Sequence, residues 1–212
     1  MIRLPAGRPD AVERTAAALA EGGVVAFPTD TAYGLGADPR IRAAIDRIYE
    51  IKGRPRSLPL ILLAADVADL AGWAKLTAAV KQVVTPFWPG PLTLVVPAGD
   101  RTPGYLRAQD GSIGVRIPAH AAARALLART GPLATTSANR SGGASPRSGD
   151  DVAASFIADP APDVLLDAGP TLHSADSTVL SLVGPPSLLR AGALSESDLR
   201  AFFTLGDDLS PR

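Results

Sequence analysis

A polar turn after a short apolar run carries the first residues whose types could do chemistry. Residues 24–27 form the run, and residues 28–36 follow it with two threonine hydroxyls, the Asp30 carboxylate and two glycines. A β-branched and aromatic run bounded by glycine and proline predicts a buried strand. Open α/β sheets bind ligands at such strand ends, and glycines permit a sharp turn or a close backbone approach. An ordinary strand with a tight turn is the competing interpretation.

Three cations lie at alternate positions where a predicted helix ends. Lys52, Arg54 and Arg56 flank Pro55, and residues 40–56 hold six basic side chains against two acidic ones. A single lysine at a helix end is explained by the helix dipole. Three cations around a stiffening proline indicate an anion site instead, because a rigid loop loses less entropy on binding.

A second polar turn follows the apolar run 133–136. Residues 137–146 contain three serines, an asparagine and two adjacent glycines. Such hydroxyls, amide groups and free N–H groups suit phosphate oxygens, whereas a flexible linker is the alternative. The turn is not a Walker loop, because no Gly-Lys-Ser or Gly-Lys-Thr follows at the required spacing.

Residues 112–118 alternate between apolar and other side chains. Ser112, Gly114 and Arg116 fall on one face of the predicted strand, which sets a hydroxyl, a gap and a guanidinium in a row. A half-exposed strand with a surface arginine is an equal alternative.

Composition excludes several classes of function. The 212 residues include no cysteine, two histidines and 21 basic against 21 acidic side chains. Disulfides, thiolate catalysis and cysteine-ligated zinc are therefore excluded, and no Gly-x-Ser-x-Gly elbow supports a serine hydrolase. Zero net charge provides no global field for nucleic acid or membranes, so polyanion binding needs a local patch. With no signal core or membrane span, we expect a cytoplasmic protein.

Apolar periodicity predicts the elements that must position these groups. We expect helices over 10–21, 39–52, 66–70, 77–87, 119–129, 150–157 and 195–203, the last with Ser195 and Asp198 as a capping box. We expect strands over 24–27, 60–63, 92–96, 112–118, 133–136 and 164–166, and a hairpin of 177–180 with 187–190. Residues 99–111 are expected to be a mobile surface loop. With no repeat or linker, we predict a single domain over 1–212, its core at about 8–203 and a frayed tail at 204–212.

Seven motifs in series resemble the YrdC-like family. They are PTDTAYGLG at 28–36, KGRP at 52–55, WPGPLT at 88–93, GVRIP at 114–118, TSANRSG at 136–142, STV at 177–179 and LRAG at 189–192. The resemblance implies an α/β (α+β) fold, in which one twisted mixed parallel and antiparallel sheet carries helices on both faces. This is the open-sheet fold shared with DHBP synthase, and it implies a large, positively lined concave site.

The resemblance also implies an activity and a set of site residues. The family's best-known members make threonylcarbamoyl-AMP and pyrophosphate from L-threonine, bicarbonate or CO2, and ATP, for the threonylcarbamoyladenosine of tRNA. It implies that threonine is bound by Thr29, Arg116 and Ser177. It implies that ATP is bound by Lys52, Arg54, Arg56, Ser112, Ser137, Asn139, Ser145 and Arg190. Lys52, Arg54 and Thr29 would be the catalytic residues.

Several expectations concern what accompanies the reaction. We expect Mg2+ to be held by ATP and water, because no acidic cluster offers a protein cage. Asp30 is a candidate general base, although a role in orienting its turn is favoured. A downstream complex would transfer the threonylcarbamoyl group to tRNA.

The sequence departs from the family pattern at four places. Leu58 and Leu63 replace a common asparagine and histidine near the expected amino-acid pocket, and Ser181 and Ala191 replace a common aspartate and proline. The first two bear on the preferred amino acid rather than on ATP. Two alternative functions remain: an RNA-binding protein that uses the same basic concavity without catalysis, and a carbamoyl-adenylate-forming relative.

Overall fold

One mixed sheet organises the part of the chain that the computed structural model describes, residues 1–158 and 160–203. Its strands are β1 (Ile2–Pro5), β2 (Val25–Phe27), β3 (Gly34–Ala37), β4 (Ile61–Leu63), β5 (Leu92–Pro97), β6 (Ser112–Arg116), β7 (Leu133–Ser137), β8 (Val164–Asp167), β9 (Thr178–Ser181) and β10 (Ser187–Arg190). They pair in the order β1-β8-β2-β3-β7-β4-β6-β5-β9-β10. The sheet contains parallel pairs, such as β4 with β6, and antiparallel pairs, such as β4 with β7.

Helices cover both faces of this sheet. They are α1 (Ala11–Ala20), α2 (Arg42–Lys52), α3 (Ala78–Val84), α4 (Ala121–Thr130), α5 (Gly149–Ser155) and α6 (Glu196–Arg200), with 3-10 helices at Val67–Leu70 and Gly104–Leu106. Alternation along β2 divides the core: Val25 and Phe27 pack with α1 and α4, whereas Ala26 packs with α2. The mixed sheet with helices on both faces confirms the expected fold class.

Most of the expected elements are present. The hairpin of β9 with β10 is antiparallel as predicted, and Ser195 and Asp198 form the capping box at the start of α6. Gly53 ends α2 in the left-handed conformation with φ of 62°. Within the expected loop 99–111, Thr102 and Leu106 are buried, so that part of it packs against the core. The tail 204–212 lies outside the described residues, and the single domain over 1–212 stays a prediction.

The expectation that the polar turn continues over residues 34–36 was wrong, because Gly34–Ala37 form β3. This strand is in antiparallel register with β7, where Gly34 lies opposite Ser137 and Gly36 opposite Thr135. A Cβ at Gly34 would lie 2.8 Å from Thr135 Cγ2, and one at Gly36 would lie 2.8 Å from Phe27 Cε1. The glycines therefore relieve crowding between strands and make no sharp turn. β1 was also not predicted, since it is only four residues long and ends in proline.

Tyr33 fixes the start of β3 to the end of β8. Its buried hydroxyl lies 2.7 Å from the Gly169 carbonyl and 3.0 Å from Asp167 Oδ1, and it accepts a hydrogen bond from the Ala168 N–H. Burial raises the pKa of the Tyr33 phenol above its ordinary value. This bond cluster places the loop after β8 against the polar turn that precedes β3.

We predict that Tyr33→Phe lowers the free energy of unfolding by about 1–3 kcal/mol, because buried polar groups lose their partner. Urea denaturation measures the change. Tyr49→Phe is the matched control, since within the described residues the Tyr49 hydroxyl makes one hydrogen bond, 3.2 Å long, to the Leu58 carbonyl. Equal losses in the two variants would contradict the anchoring role of Tyr33.

Candidate functional site

A cavity of about 240 Å³ lies over one face of the central strands. Alternate strand residues form its floor, among them Ile61, Leu63, Thr93, Val95, Gly114, Arg116, Thr135 and Ser137. Gly114 pairs with Ile61 across β4 and β6, and a Cβ at Gly114 would lie 2.6 Å from Ile61 Cγ2. The missing side chain at Gly114 thus keeps the floor low.

The cavity meets the expectation of a site at strand ends in part: Thr29 and Thr31, which follow β2, line it, and so do floor residues within β4 and β6. Such sites arise where the carboxyl ends of parallel strands share one edge. Here the neighbours β3, β7 and β4 pair antiparallel, so their ends alternate between edges and the ligand space lies on the sheet face. Ser112, Gly114 and Arg116 all line it, and every residue of β6 is buried. The half-exposed-strand interpretation of β6 is therefore wrong.

Arg116 is held in the cavity floor by a buried ion pair. Its Nη2 donates to Asp30 Oδ1 at 2.7 Å, its Nη1 to Thr31 Oγ1 at 2.8 Å, and its Nε to the Gly90 carbonyl at 2.9 Å. The two charged side chains are 4% and 0% exposed. Burial lowers the pKa of Arg116, and the Asp30 charge opposes that shift. Two of the five guanidinium N–H groups donate to no acceptor among the described residues.

Asp30 orients its surroundings, as the sequence favoured. Besides the Arg116 bond, its Oδ1 accepts the Ala119 N–H at 2.9 Å, and its backbone carbonyl accepts the His173 N–H. Asp30 does not itself line the cavity. Thr29 does line it, and its Oγ1 donates to the Ala32 carbonyl at 2.6 Å. The turn is therefore built by its own side chains, with Arg116 as the central support.

Lys52 donates hydrogen bonds to the second polar turn. Its buried Nζ lies 2.8 Å from the Ser137 carbonyl, 2.8 Å from Asn139 Oδ1, 3.1 Å from the Asn139 carbonyl and 3.2 Å from Ser137 Oγ. An ammonium has three donors, so these four oxygens occupy it fully. Ser137 lines the cavity, whereas Lys52 and Asn139 lie behind it. In this geometry Lys52 shapes the turn, and its direct contact with phosphate stays a prediction.

Arg54 and Arg190 contribute positive charge directly to the cavity. Arg54 donates to the Leu58 and Pro59 carbonyls, and Arg190 donates to the carbonyl and hydroxyl of Ser177. Among the described residues, neither guanidinium nor the Lys52 ammonium has a carboxylate within ion-pair distance. Burial lowers the pKa of Arg54. Three cations bonded to neutral oxygens leave the cavity electrically suited to an anion.

Other predicted site residues fall into two groups. Ser177 lines the cavity, and its Oγ lies 2.9 Å from Thr93 Oγ1. Arg56 does not line it; its exposed guanidinium pairs with Asp46 instead. Ser145 also lies behind the lining and donates to Asp176 Oδ2 at 3.0 Å.

The residues that differ from the family pattern divide in the same way. Leu63 lines the cavity, whereas Leu58 is 46% exposed and does not. The apolar Leu63 side chain therefore bears on the choice of ligand, and only the carbonyl of Leu58 acts near the site, through Arg54.

Asp176 is a cavity residue that sequence reasoning missed. It lines the cavity directly before Ser177, and its Oδ1 accepts Arg147 Nη2 at 2.8 Å. Arg147 also donates to the Thr31 and Ala175 carbonyls, which joins three loops. The sequence does show a carboxylate next to the 177–179 motif. Asp176 lies in a loop, however, and apolar periodicity does not predict where a loop residue lies in the fold.

Two properties of the described residues concern metals and membranes. Within residues 1–158 and 160–203, no group of three or more His, Cys, Asp or Glu side chains is placed to hold a metal ion. No helix in the same ranges is long and apolar enough to cross a bilayer.

Comparison with known proteins identifies similar chains. The family model Sua5_yciO_yrdC, described as "Telomere recombination", matches residues 17–192. The threonylcarbamoyl-AMP synthase of Pyrococcus abyssi is 41% identical over 82% of this chain and 52% of its own length. That of Bacillus subtilis is 40% identical over 90% of this chain and 56% of its own. The chain thus spans about half the length of these two curated relatives.

A solved structure shares the fold. The crystal structure of P. abyssi Sua5 complexed with L-threonine superposes with a TM-score of 0.88 at 36% identity. The alignment covers 97% of this chain and 62% of the solved one.

We predict that Arg116→Ala lowers the free energy of unfolding by about 3–5 kcal/mol, because it leaves the Asp30 carboxylate as a buried charge without its cation. Denaturant unfolding measures the loss. Arg190→Ala is the control, since its guanidinium bonds only neutral oxygens, and a smaller loss is expected. A loss for Arg116→Ala no larger than for Arg190→Ala would reject the structural importance of the ion pair.

A pH dependence follows from the burial of Lys52. Burial lowers its pKa from 10.5 to about 8, repulsion from Arg54 acts in the same direction, and Asp176 opposes both. Between these values the unfolded chain binds more protons at this site, so the penalty present below about pH 8 is relieved as pH rises towards 10.5.

We therefore predict that the unfolding free energy of wild type, minus that of Lys52→Met, rises between pH 7.5 and pH 10 by on the order of 1–3 kcal/mol. Denaturation at both pH values measures the difference, with Lys75→Met as the control for loss of an exposed lysine. A flat or falling difference for Lys52→Met would contradict the lowered pKa.

Proposed function

The chain belongs to the Sua5/YciO/YrdC family, and on that premise we propose that it is a threonylcarbamoyl-AMP synthase. It would form threonylcarbamoyl-AMP and pyrophosphate from L-threonine, bicarbonate or CO2, and ATP. The observation that carries the proposal is the cavity itself, where Arg54 and Arg190 in the lining, and Lys52 behind it, supply positive charge without carboxylate partners among the described residues. A small apolar floor lies beside those charges.

The chemistry requires such a site because most reacting groups are anionic. The threonine amine takes up CO2 to give a carbamate, and a carbamate oxygen then attacks the α-phosphorus of ATP and expels pyrophosphate. Cations fixed before the reaction stabilise the charge that develops as two anions approach. Holding three reactants in one orientation supplies up to roughly 7–11 kcal/mol more.

The contacts support a division of roles. Arg54 and Arg190 would contact the phosphates and nucleotide, together with Ser112 and the Ser137 turn that Lys52 and Asn139 support.

The free N–H groups of Arg116 would hold the threonine carboxylate, and the Thr29 and Ser177 hydroxyls would lie beside it. Leu63 would contact the threonine methyl group.

The proposal also includes the metal ion that accompanies ATP and the fate of the product. ATP would enter as its Mg2+ complex, with the ion held mainly by phosphate oxygens and water. The product would pass in the cytoplasm to a complex that transfers the threonylcarbamoyl group to tRNA.

We predict that the purified protein releases pyrophosphate from ATP only with both threonine and bicarbonate. Arg54→Ala and Arg190→Ala should each raise the KM for ATP by ~10-fold or more, since each loses a charge-assisted contact to phosphate. Arg56→Ala is the matched control within the same loop, expected to stay within about twofold because Arg56 lies outside the cavity.

Other outcomes would favour other functions. Salt-sensitive binding of duplex RNA without pyrophosphate release would favour the RNA-binding alternative. Pyrophosphate release that depends on carbamoyl phosphate in place of threonine and bicarbonate would favour the carbamoyl-adenylate reaction. Wild-type kinetics in both Arg54→Ala and Arg190→Ala would reject the assignment of phosphate to these arginines.

A further inference from the structure

The cavity contains one acidic side chain among its described lining residues, Asp176. The other charged groups of the lining are Arg54, Arg116 and Arg190. In the proposed reaction nearly every charge on the substrates is negative, and those charges match the arginines. The exception is the ammonium group of the amino acid, which needs an anion.

The Asp176 carboxylate is fixed in place and keeps capacity for a ligand. Oδ1 accepts Arg147 Nη2 at 2.8 Å, and Oδ2 accepts Ser145 Oγ at 3.0 Å. An ionised carboxylate offers about four acceptor positions, so each oxygen retains one. The side chain is 35% exposed, which leaves those positions open to the cavity.

The backbone of Asp176 is held as firmly as its side chain. Its carbonyl accepts the Ala193 N–H at 2.8 Å, and a Cβ at Gly192 would lie 2.3 Å from the same carbonyl oxygen. Gly192 therefore permits a close approach of two backbones that sets the direction in which Asp176 points.

Asp176 also lies near the groups assigned to the amino acid. It precedes Ser177, and its charge acts against the lowering of the pKa of Arg116. A zwitterionic amino acid carries a carboxylate and an ammonium on one carbon, so its two charged groups need opposite partners close together. Arg116 and Asp176 carry such opposite charges, and both line the same cavity.

We propose that Asp176 binds the α-ammonium group of the amino-acid substrate, while Arg116 binds its carboxylate. The inference rests on the proposed function and adds the group that distinguishes an amino acid from a hydroxy acid. Asp176 takes part in binding and positioning, and the proton that leaves the amine before carboxylation is not assigned to it.

The test compares two ligands that differ in this one group. Calorimetry measures binding of L-threonine and of 2,3-dihydroxybutanoate of the same configuration, in which a hydroxyl replaces the ammonium. Wild type should prefer threonine. Asp176→Asn should weaken threonine binding by roughly 10- to 150-fold, as expected for a hydrogen bond to a charged group, and leave the analogue within about threefold.

Control variants separate charge from structure. Asp176→Glu retains the charge and should keep a preference for threonine. Asp150→Asn removes an exposed carboxylate far from the lining and should change neither affinity.

Several results would overturn the inference. They are equal weakening of both ligands in Asp176→Asn, an unchanged preference for threonine, and an effect confined to ATP. Failure of wild type to bind threonine at all would overturn the proposed function together with this inference, and it is distinct from a wild type that binds threonine with Asp176 uninvolved.

Discussion

The buried ion pair of Arg116 with Asp30 is the interaction on which the rest of the site depends. It connects β6 to the turn after β2, and further bonds from the same two side chains reach Gly90 and Ala119. Burying two charges is costly unless their geometry and remaining hydrogen bonds are good. Here the buried ion pair holds the Arg116 guanidinium in the cavity floor, where two of its N–H groups have no acceptor among the described residues. A hydrophobic pair would fill the same space but would supply no hydrogen-bond donors to the cavity.

The cations of the site have two different roles: one holds a turn in shape, and the others add positive charge to the cavity. Lys52 is surrounded by four oxygens of one turn, so it holds the turn in shape and also adds to the local potential. Arg54 and Arg190 bond backbone carbonyls that carry no net charge, and their positive charge is therefore not cancelled locally. Arg54 is partly buried, so water screens its charge less than that of Arg190, which is exposed.

Sequence reasoning predicted the fold class, most elements and the two polar turns, because periodicity and punctuation by Gly and Pro are local properties. It failed for β3, since the need for Gly34 and Gly36 comes from Thr135 and Phe27 on other strands. It indicated the strand end at Thr29 but not the extension of the cavity over the sheet face, because strand direction in a mixed sheet depends on pairing between distant segments.

The roles of individual site residues also depend partly on local sequence and partly on contacts with distant segments. The positive charge near residues 52–56 could be read from the sequence, yet only the fold separates Arg54 in the cavity from Arg56 on the outside. Asp176 lies in a loop whose position is set by bonds to Arg147 and Ser145, and no local pattern records those bonds.

The bare floor at Gly114 limits how this site can diversify. Any larger residue at position 114 would overlap Ile61. Substitution at this position therefore cannot be used to change ligand preference. New ligand sizes must instead arise at other lining positions, where Leu63, Val95 and Val179 present side chains that can be shortened or lengthened without breaking the strand pairing. In chains derived from this one, position 114 would therefore stay a glycine, and ligand preference would change through the other residues that line the cavity.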